Sequence, residues 1–230
     1  MSVAVITGGS AGLGRALARA LATEGWRVIV DGRDPVRLSA AVDHPDVTGV
    51  PGDVTDERHR RALRAAVERE GRLDLLVHNA STLGPTPLPR LAETTVTDLD
   101  RVWRTNVGAP VALTVDLLPV LAAAGGTLLS VSSDAGVEHY EGWGLYGASK
   151  AALDHLTLTF GAENPEIRAY AVDPGDMRTQ MHQDAFPGED ISDRPLPEAV
   201  VPRLLALLSE RPPSGRYRAA DIPAPVKAGA

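Results

Sequence analysis

The chain has 230 residues, of which 43% are hydrophobic and only 4% aromatic, and its formal net charge is -7. This length suits one α/β domain with a core of Ala, Val and Leu, and the acidic balance disfavours nucleic acid or an anionic membrane as the main partner. Because the sequence has no cysteine, disulfides and thiolate metal sites are excluded.

Short apolar runs alternate with helical periodicities along the chain. The runs predict buried strands at 3–7, 27–31, 47–50, 73–80, 126–133 and 167–175. Apolar residues at helical spacing predict a helix from about Leu13 and further helices at 37–42, 56–70, 96–123 and 144–163. This alternation predicts a single α/β domain, with a doubly wound parallel sheet and helices on both of its faces.

No linker marks a second domain, so we assign residues 1–221 to one domain and 222–230 to a C-terminal tail. Residues 176–196 follow the sixth predicted strand, and their Pro187-Gly188 pair opposes one continuous helix, so we predict a substrate lid there. No apolar run approaches the length of a membrane span, and the N-terminus enters a strand without a basic region. We therefore expect a cytoplasmic protein.

The stretch TGGSAGLG, residues 7–14, joins the first predicted strand to the first predicted helix. Gly8, Gly12 and Gly14 would let the backbone turn sharply and approach a pyrophosphate closely. The N-terminus of the following helix would offer free N–H groups and a positive dipole. This turn therefore predicts a nucleotide-binding site.

Two other kinds of site are less well supported. The same turn fits the G-x-S-x-G elbow of serine hydrolases, with Ser10 as nucleophile and Asp173 and His182 as partners. That elbow normally follows several strands, whereas only one precedes Ser10. The six histidines lack the spacings of metal ligands, so we expect no metal site.

Tyr146 and Lys150 stand four residues apart in LYGASK, inside a predicted helix, and therefore share one face. A tyrosine has a pKa near 10 and is a poor acid or base at neutral pH. A cation within about 4–6 Å favours the phenolate, so Lys150 is expected to lower the pKa of Tyr146. Tyr146 could then give a proton to a carbonyl oxygen or take one from an alcohol.

Further motifs stand in register with this pair and with the turn. They are HNAS at 78–81, Asn106, Ser133 thirteen residues before the tyrosine, GDV around Asp53, and Pro174, Gly175 and Thr179. In order and spacing the set resembles the classical short-chain dehydrogenase/reductases, over nearly the whole chain. The resemblance implies a Rossmann-type fold and a nicotinamide cofactor. One departure is Ser81, which replaces the usual glycine and needs either an ordinary backbone angle or a tolerated strained one.

The resemblance also implies the roles of individual residues. The implied catalytic residues are Asn106, Ser133, Tyr146 and Lys150, with Asn106 holding a water that links Lys150 to solvent. Trp143 and Met181 are expected to line the substrate pocket. The implied cofactor-binding residues are Thr7, Gly8, Ser10, Ala11, Gly12, Leu13, Gly14, Arg33, Asp53, Val54, Asn79, Ala80, Ser81, Tyr146, Lys150, Pro174, Gly175, Met177 and Thr179.

The end of the second strand, VDGRD, bears on the choice of cofactor. A carboxylate there would bind a ribose 2'-hydroxyl and select NAD, which Asp31 suggests. The acidic position of the family, however, falls on Gly32, and Arg33 follows, whose guanidinium suits a 2'-phosphate. We therefore predict NADP(H) over NAD(H).

The stretches NASTLG and GWGLYGASKAA look like the sepiapterin reductase and diketone reductase branch of the family. The resemblance thus implies an NADP-dependent reductase of a small ketone or vicinal dicarbonyl, in a homodimer or homotetramer. An NAD-dependent alcohol dehydrogenase is the alternative. A non-catalytic nucleotide sensor or a methyltransferase is more remote, because neither needs Ser133, Tyr146 and Lys150.

Overall fold

The structure is a computed structural model that describes residues 1–223; most of the predicted tail, 224–230, lies outside the described residues. The strands are β1 (Val3–Ile6), β2 (Arg27–Gly32), β3 (Val47–Pro51), β4 (Leu75–His78), β5 (Thr127–Val131), β6 (Arg168–Asp173) and β7 (Gly215–Arg218). The helices are α1 (Gly12–Thr23), α2 (Pro35–Ala41), α3 (Glu57–Glu70), α4 (Val96–Trp103), α5 (Ala109–Ala123), α6 (Gly144–Glu163), α7 (Gln180–Ala185) and α8 (Pro197–Glu210).

The seven strands form one parallel sheet in the order β3-β2-β1-β4-β5-β6-β7. Successive residues of β1 serve opposite faces. Val3 and Val5 join a core with α3 and α5, whereas Ala4 and Ile6 join a core with α1 and α8. A strand covered on both faces reads as a continuous apolar run, which is why VAVI was recognisable. The doubly wound parallel sheet is confirmed.

Helix starts are fixed by side-chain caps that the sequence carries. The Asp34 carboxylate accepts hydrogen bonds from the backbone N–H groups of Val36 (2.9 Å) and Arg37 (3.1 Å), so α2 begins at Pro35, two residues before the predicted start. The Asp56 carboxylate caps α3 in the same way. The predicted ends of these helices were correct within one residue.

The predicted helix 96–123 is continuous but is widened in its middle. Residues Arg104–Gly108 form a π-helical turn between α4 and α5. By length and composition this stretch could cross a membrane, contrary to the sequence expectation. Leu113 and Leu117, however, are buried under the sheet, as expected for a core helix. Trp103, by contrast, is 40% exposed on α4.

α8 and β7 were not predicted from the sequence. Val200, Val201, Leu204 and Leu207 form a buried stripe of α8, and α8 packs beside α1. β7 extends the sheet by pairing with β6. Ile222, which we assigned to the tail, is buried in the same core. The final strand lies at the edge of the sheet and carries Arg216, whose side chain is partly buried.

Candidate active site

The sequence-predicted site residues converge at the carboxyl ends of the central strands. The turn 7–14 follows β1, Asn79 follows β4, Ser133 follows β5 and Pro174 follows β6. α6 crosses this edge and carries Tyr146 and Lys150. Open parallel sheets bind their ligands at this edge, where the strand order reverses. Here the reversal lies between β1 and β4.

The turn 7–14 is held rigidly by its neighbours. The Thr7 hydroxyl accepts hydrogen bonds from the backbone N–H groups of Asn79 (3.0 Å) and Ala80 (3.1 Å). The Asn79 amide donates to the carbonyl oxygens of Thr7 (2.8 Å) and Gly8 (3.1 Å). A Cβ at Gly14 would lie 2.4 Å from this amide nitrogen, so only glycine fits there. The turn is thus shaped before any ligand arrives.

This cradle fits a pyrophosphate. Gly8 and Gly12 have positive φ angles of 68° and 53°, and no side chain caps the N-terminus of α1. The first N–H groups of α1 are therefore available to an anion. Ala11 is exposed beside them, whereas the Leu13 side chain belongs to the core, so any contact of Leu13 with a cofactor would use its backbone.

The end of β2 differs from the simplest reading of the sequence. Asp31 is buried, and its carboxylate accepts a hydrogen bond from the Gly8 N–H (2.6 Å) and lies 3.1 Å from Nε2 of His59. Both carboxylate oxygens are therefore engaged within the protein. A Cβ at Gly32 would lie 2.9 Å from the Ser10 side chain, so the usual acidic residue has no room there. Arg33, by contrast, is exposed.

Asp53 lies at the end of β3, close to Arg33. Its carboxylate accepts hydrogen bonds from the Thr55 N–H (2.8 Å) and hydroxyl (2.7 Å). Partial burial acts to raise the pKa of Asp53, but these bonds and the charges of Arg33 and His59 outweigh it and lower the pKa. The neighbouring Val54 side chain is buried in the core, so its backbone is the part left for ligand contact.

Ser81 needs no strained backbone. Within residues 1–223, Arg211 is the one non-glycine residue with a positive φ. The departure from the family pattern is therefore sterically harmless, as expected.

Asn106 lies in the π-helical turn and uses its whole side chain. Its Oδ1 accepts hydrogen bonds from the Thr82 N–H (2.9 Å) and the Ser81 hydroxyl (3.2 Å), and its Nδ2 donates to the Thr82 carbonyl and the Ser149 hydroxyl, each at 2.9 Å. An amide offers no further capacity. A water at this residue would have to bind its backbone, which the π-turn geometry makes possible.

Ser133 begins the segment after β5. Its hydroxyl donates to Oδ1 of Asp134 (3.0 Å) and accepts from the Ala135 N–H (3.2 Å). The other Asp134 oxygen accepts from the hydroxyl of Tyr140 (3.0 Å). The sequence reading did not single out Asp134. The Ser133 hydroxyl must give up its hydrogen bond to Asp134 before it can donate one to a substrate oxygen.

Tyr146 and Lys150 lie on successive turns of α6, as predicted, and both are buried. The Lys150 ammonium donates to the Val131 carbonyl (2.7 Å) and lies 5.5 Å from the centre of the Tyr146 ring. Lys150 is thus fixed to β5 by its charged end. A lysine is rarely buried unless its charge is used.

The expected lowering of the Tyr146 pKa is wrong for the polypeptide alone. Burial raises the pKa of Tyr146, and the charge of Asp134 adds to this, while the hydroxyls of Ser133 and Ser81 act to lower it. The cost of burying a phenolate outweighs the effect of the nearby cation. A protonated Tyr146 is the form suited to giving a proton.

Burial lowers the pKa of Lys150 to about 8, although the charge of Asp154 acts to raise it. His78 on β4 is buried beside this region, and burial together with the Lys150 charge lowers its pKa to about 3. His78 is therefore neutral at physiological pH. Its Nε2 lies 2.7 Å from the Thr114 hydroxyl.

An apolar wall stands next to Tyr146. Leu83, Ala135 and Tyr146 form a small buried cluster, against which Leu88, Trp143, Met181 and Ala185 pack. The Trp143 ring meets Tyr146 edge to face, with centroids 5.6 Å apart, and Phe186 lies 5.9 Å from Trp143. Both predicted pocket residues are present. Leu83 and Leu88 were missed because the segment 82–90 has no periodic pattern.

The segment after β6 returns over the turn 7–14. Gly175, with φ of 74°, follows Pro174, and its N–H donates to Asp173 (2.9 Å). Met177 packs against the core. A Cβ at Gly12 would lie 3.5 Å from the Thr179 methyl group, which places Thr179 across the cradle. Thr179 also caps α7, since its hydroxyl accepts from the His182 N–H (3.2 Å).

The serine hydrolase reading is not supported. In the described part of the chain, no hydrogen bond joins Ser10, Asp173 and His182. Asp173 instead holds Gly175 and faces Arg216, and Nδ1 of His182 lies 3.8 Å from Asp176.

Comparisons with known proteins identify the family of this fold. Residues 2–190 match the family model for short chain dehydrogenases. The benzil reductase ((S)-benzoin forming) of Saccharomyces cerevisiae is 30% identical over 98% of this chain and 88% of its own. Sepiapterin reductase of Mus musculus is 32% identical over 79% of this chain and 77% of its own.

A crystal structure of a short chain dehydrogenase from Shigella flexneri, complexed with NADP, superposes with a TM-score of 0.87 and 28% identity. The superposition covers 95% of this chain and 97% of the Shigella flexneri chain. The fold is thus that of the short-chain dehydrogenases. The chain is an oxidoreductase that belongs to the short-chain dehydrogenase/reductase family.

Proposed function

We propose that this enzyme uses NADPH to reduce a small, uncharged ketone or vicinal dicarbonyl, with Tyr146 as the general acid. The observation that carries the proposal is the buried Tyr146, which packs in an apolar cluster and whose phenol is influenced by the hydroxyls of Ser133 and Ser81. A carbonyl oxygen directed at this phenol would leave its substituents against Leu83, Trp143 and Met181.

Each polar residue has a distinct part in the proposed reaction. Tyr146 gives its proton to the carbonyl oxygen, and Ser133 donates a second hydrogen bond that orients the same oxygen. Lys150, held by Val131, supplies a positive charge that stabilises the phenolate left behind. A bound nicotinamide would supply the hydride and, once oxidised, a further positive charge. Asn106 keeps residues 81–82 against α6.

The preference for NADP over NAD rests on three residues. Asp31, the residue that would favour NAD, is turned inward by Gly8 and His59. Gly32 leaves no room for a carboxylate beside Ser10. Arg33 is exposed at the strand end, where its guanidinium suits the 2'-phosphate. The Shigella flexneri relative, which was crystallised with NADP, is consistent with this preference.

The substrate class follows from the wall beside Tyr146. Its members are aliphatic or aromatic, and the carboxylate of Asp134 hydrogen-bonds with Ser133 beside them. A carboxylate-bearing ketone would have to bury its charge against this wall, whereas an uncharged ketone with an aliphatic or aromatic substituent would bury its apolar surface. Two relatives, named as a benzil reductase and a sepiapterin reductase, support the proposal of a reductase.

NADPH consumption with a matched panel of carbonyl compounds tests this proposal. We expect turnover with benzil and with an uncharged aliphatic diketone, and at least about tenfold lower kcat/KM for a 2-keto acid, since one unpaired charge costs more than a kcal/mol. A faster reaction with the keto acid would contradict the assigned substrate class. NADPH binding without consumption of any carbonyl would favour the nucleotide-sensing alternative.

We further propose that residues 176–196 act as a lid. The segment is partly helical, with α7 laying Met181 and Ala185 on the cluster around Tyr146. The backbone of this segment forms few hydrogen bonds with the sheet. Thr179 lies across the cradle formed by residues 7–14. Hydrogen exchange at 176–196 should slow markedly when NADPH is added. Equal and strong protection with and without NADPH would contradict a mobile lid. Exchange in α3, which lies outside this segment, serves as the internal reference.

We also propose that the protein is cytoplasmic and forms a homodimer or a homotetramer. Leu99 and Trp103 leave apolar surface exposed on α4, which a second copy of the chain would cover.

A further inference from the structure

Arg216 on β7 contacts residues next to the proposed catalytic residues. Its side chain is only 23% exposed. Its Nε donates to Oδ2 of Asp154 (3.0 Å) and its Nη2 donates to the backbone carbonyl of Ser133 (2.9 Å). Asp173, at the end of β6, lies 3.8 Å from the same Nη2. One guanidinium therefore joins β7, α6 and the segment that carries Ser133.

Asp154 is the buried partner of this arginine. It is 7% exposed on α6, one turn after Lys150 and on the same face. Its Oδ2 also accepts a hydrogen bond from the Ser132 hydroxyl (2.7 Å). Its Oδ1 is buried and has no hydrogen-bond partner among the residues that the structure describes. The carboxylate thus lies one helical turn from Lys150, and within residues 1–223 Arg216 is its one cationic hydrogen-bond donor.

We propose that Arg216 and Asp154 are positioning residues of the reaction: Arg216 fixes the Ser133 backbone and keeps Asp154 ionised, and Asp154 supplies the buried negative charge that keeps Lys150 an ammonium. The inference rests on the proposed function, because it concerns how Ser133 and Lys150 are made ready for proton transfer. Neither residue touches the reacting atoms.

The charges around the pair set the direction of the expected effects. Lys150 faces neutral His78 from β4, the Val131 carbonyl from β5, and Tyr146 and Asp154 on its own helix. Burial lowers the pKa of Lys150 to about 8, and Asp154 opposes this. Loss of the Asp154 charge therefore lowers the pKa of Lys150 further, so that the ammonium is lost at a lower pH.

Asp154 in turn depends on its surroundings. Burial raises the pKa of Asp154, while Ser132, Arg216 and Lys150 act to lower it. The remaining charge that faces Arg216 is Asp173. Removal of Arg216 therefore raises the pKa of Asp154 further and weakens its support of Lys150. It also frees the Ser133 carbonyl, so this variant should lose more activity than one that alters Asp154 alone.

The pKa of Lys150 can be measured directly, because the chain has only two lysines, Lys150 and Lys227. In protein labelled with ¹³C at lysine Cε, the Lys227→Arg variant assigns the two resonances. We expect the Lys150 signal to titrate near pH 8 in the native protein. In Asp154→Asn the titration should move to lower pH by about one unit, as expected for loss of a nearby opposite charge.

Kinetics then separate positioning from simple structural support. In Asp154→Asn and Arg216→Met, the alkaline limb of the kcat/KM profile should move to lower pH, and Arg216→Lys should restore part of the shift. Arg216→Met should lower kcat about tenfold or more with little change in KM, whereas Arg218→Met, a matched change at an exposed position of β7, should change neither.

Two results would overturn the proposal. One is an unchanged Lys150 titration in Asp154→Asn, and the other is a loss of thermal stability in both variants with an unmoved pH profile. The NMR titration needs no substrate. A native protein that reduces no carbonyl compound would refute the proposed function, and it would leave the measurement on Lys150 as an independent result.

Discussion

Tyr146→Phe is expected to lower kcat for ketone reduction by at least about two orders of magnitude, because general acid–base catalysis contributes about 10²–10⁴-fold. The substitution keeps the ring that packs against Trp143 and removes only the hydroxyl that gives the proton. Binding of NADPH, followed by its fluorescence, should stay within a few-fold of the native value. Steady-state kinetics with the best ketone of the panel provide the measurement.

A matched control is Tyr217→Phe, which removes the same atom from a half-buried tyrosine whose hydroxyl donates to the Pro213 carbonyl. Its turnover should be unchanged. Near-normal turnover in Tyr146→Phe would rule out this residue as the proton donor. The burial that raises the pKa of Tyr146 makes the test sharper, since a protonated phenol is the stable form at neutral pH.

Arg33→Ala is expected to weaken NADPH binding by about ten- to a hundredfold, because a charge-assisted hydrogen bond to phosphate contributes roughly 1.5–3 kcal/mol. NADH lacks the 2'-phosphate, so its affinity should change little. The ratio of the two dissociation constants is the quantity to measure. Loss of Arg33 also removes a charge that lowers the pKa of Asp53, and this smaller effect should act on both cofactors alike.

The control for this prediction is Arg64→Ala. Arg64 is an exposed arginine on α3 that pairs with Glu68, away from the end of β2. It matches the loss of charge without touching the site. If the native protein already binds NADH more tightly than NADPH, the assignment to Arg33 is wrong, and the NAD-dependent alternative gains support.

Much of the fold was predictable because its signals are local. VAVI and RVIVD are buried on both faces of a parallel sheet, so they read as apolar runs. The starts of α2 and α3 follow from the caps Asp34 and Asp56. β7 was missed because GRYR is four residues long and mostly polar, and pairing with β6 decides its structure.

For the site, sequence reasoning found the residues but not all of their partners. Motif spacing located Tyr146, Lys150 and Asn106, which the fold brings together. It could not reveal that Asp31 forms hydrogen bonds with Gly8 and His59, because these residues are far from Asp31 in the sequence. It also could not reveal Arg216, which lies 83 residues from Ser133 in the chain. The direction in which the pKa of Tyr146 shifts depends on its burial, which only the folded structure provides.

The rigid cradle and the apolar wall belong to different parts of the molecule. The cradle is bonded to β2 and β4, whereas Leu83, Trp143 and Met181 lie in connections outside the strands. Substitutions in the wall can therefore alter which carbonyl compound is accepted without disturbing the strands that hold the nucleotide. One scaffold can thus acquire new substrates by changes in its connecting segments alone, and directed evolution of this enzyme should begin at those three positions.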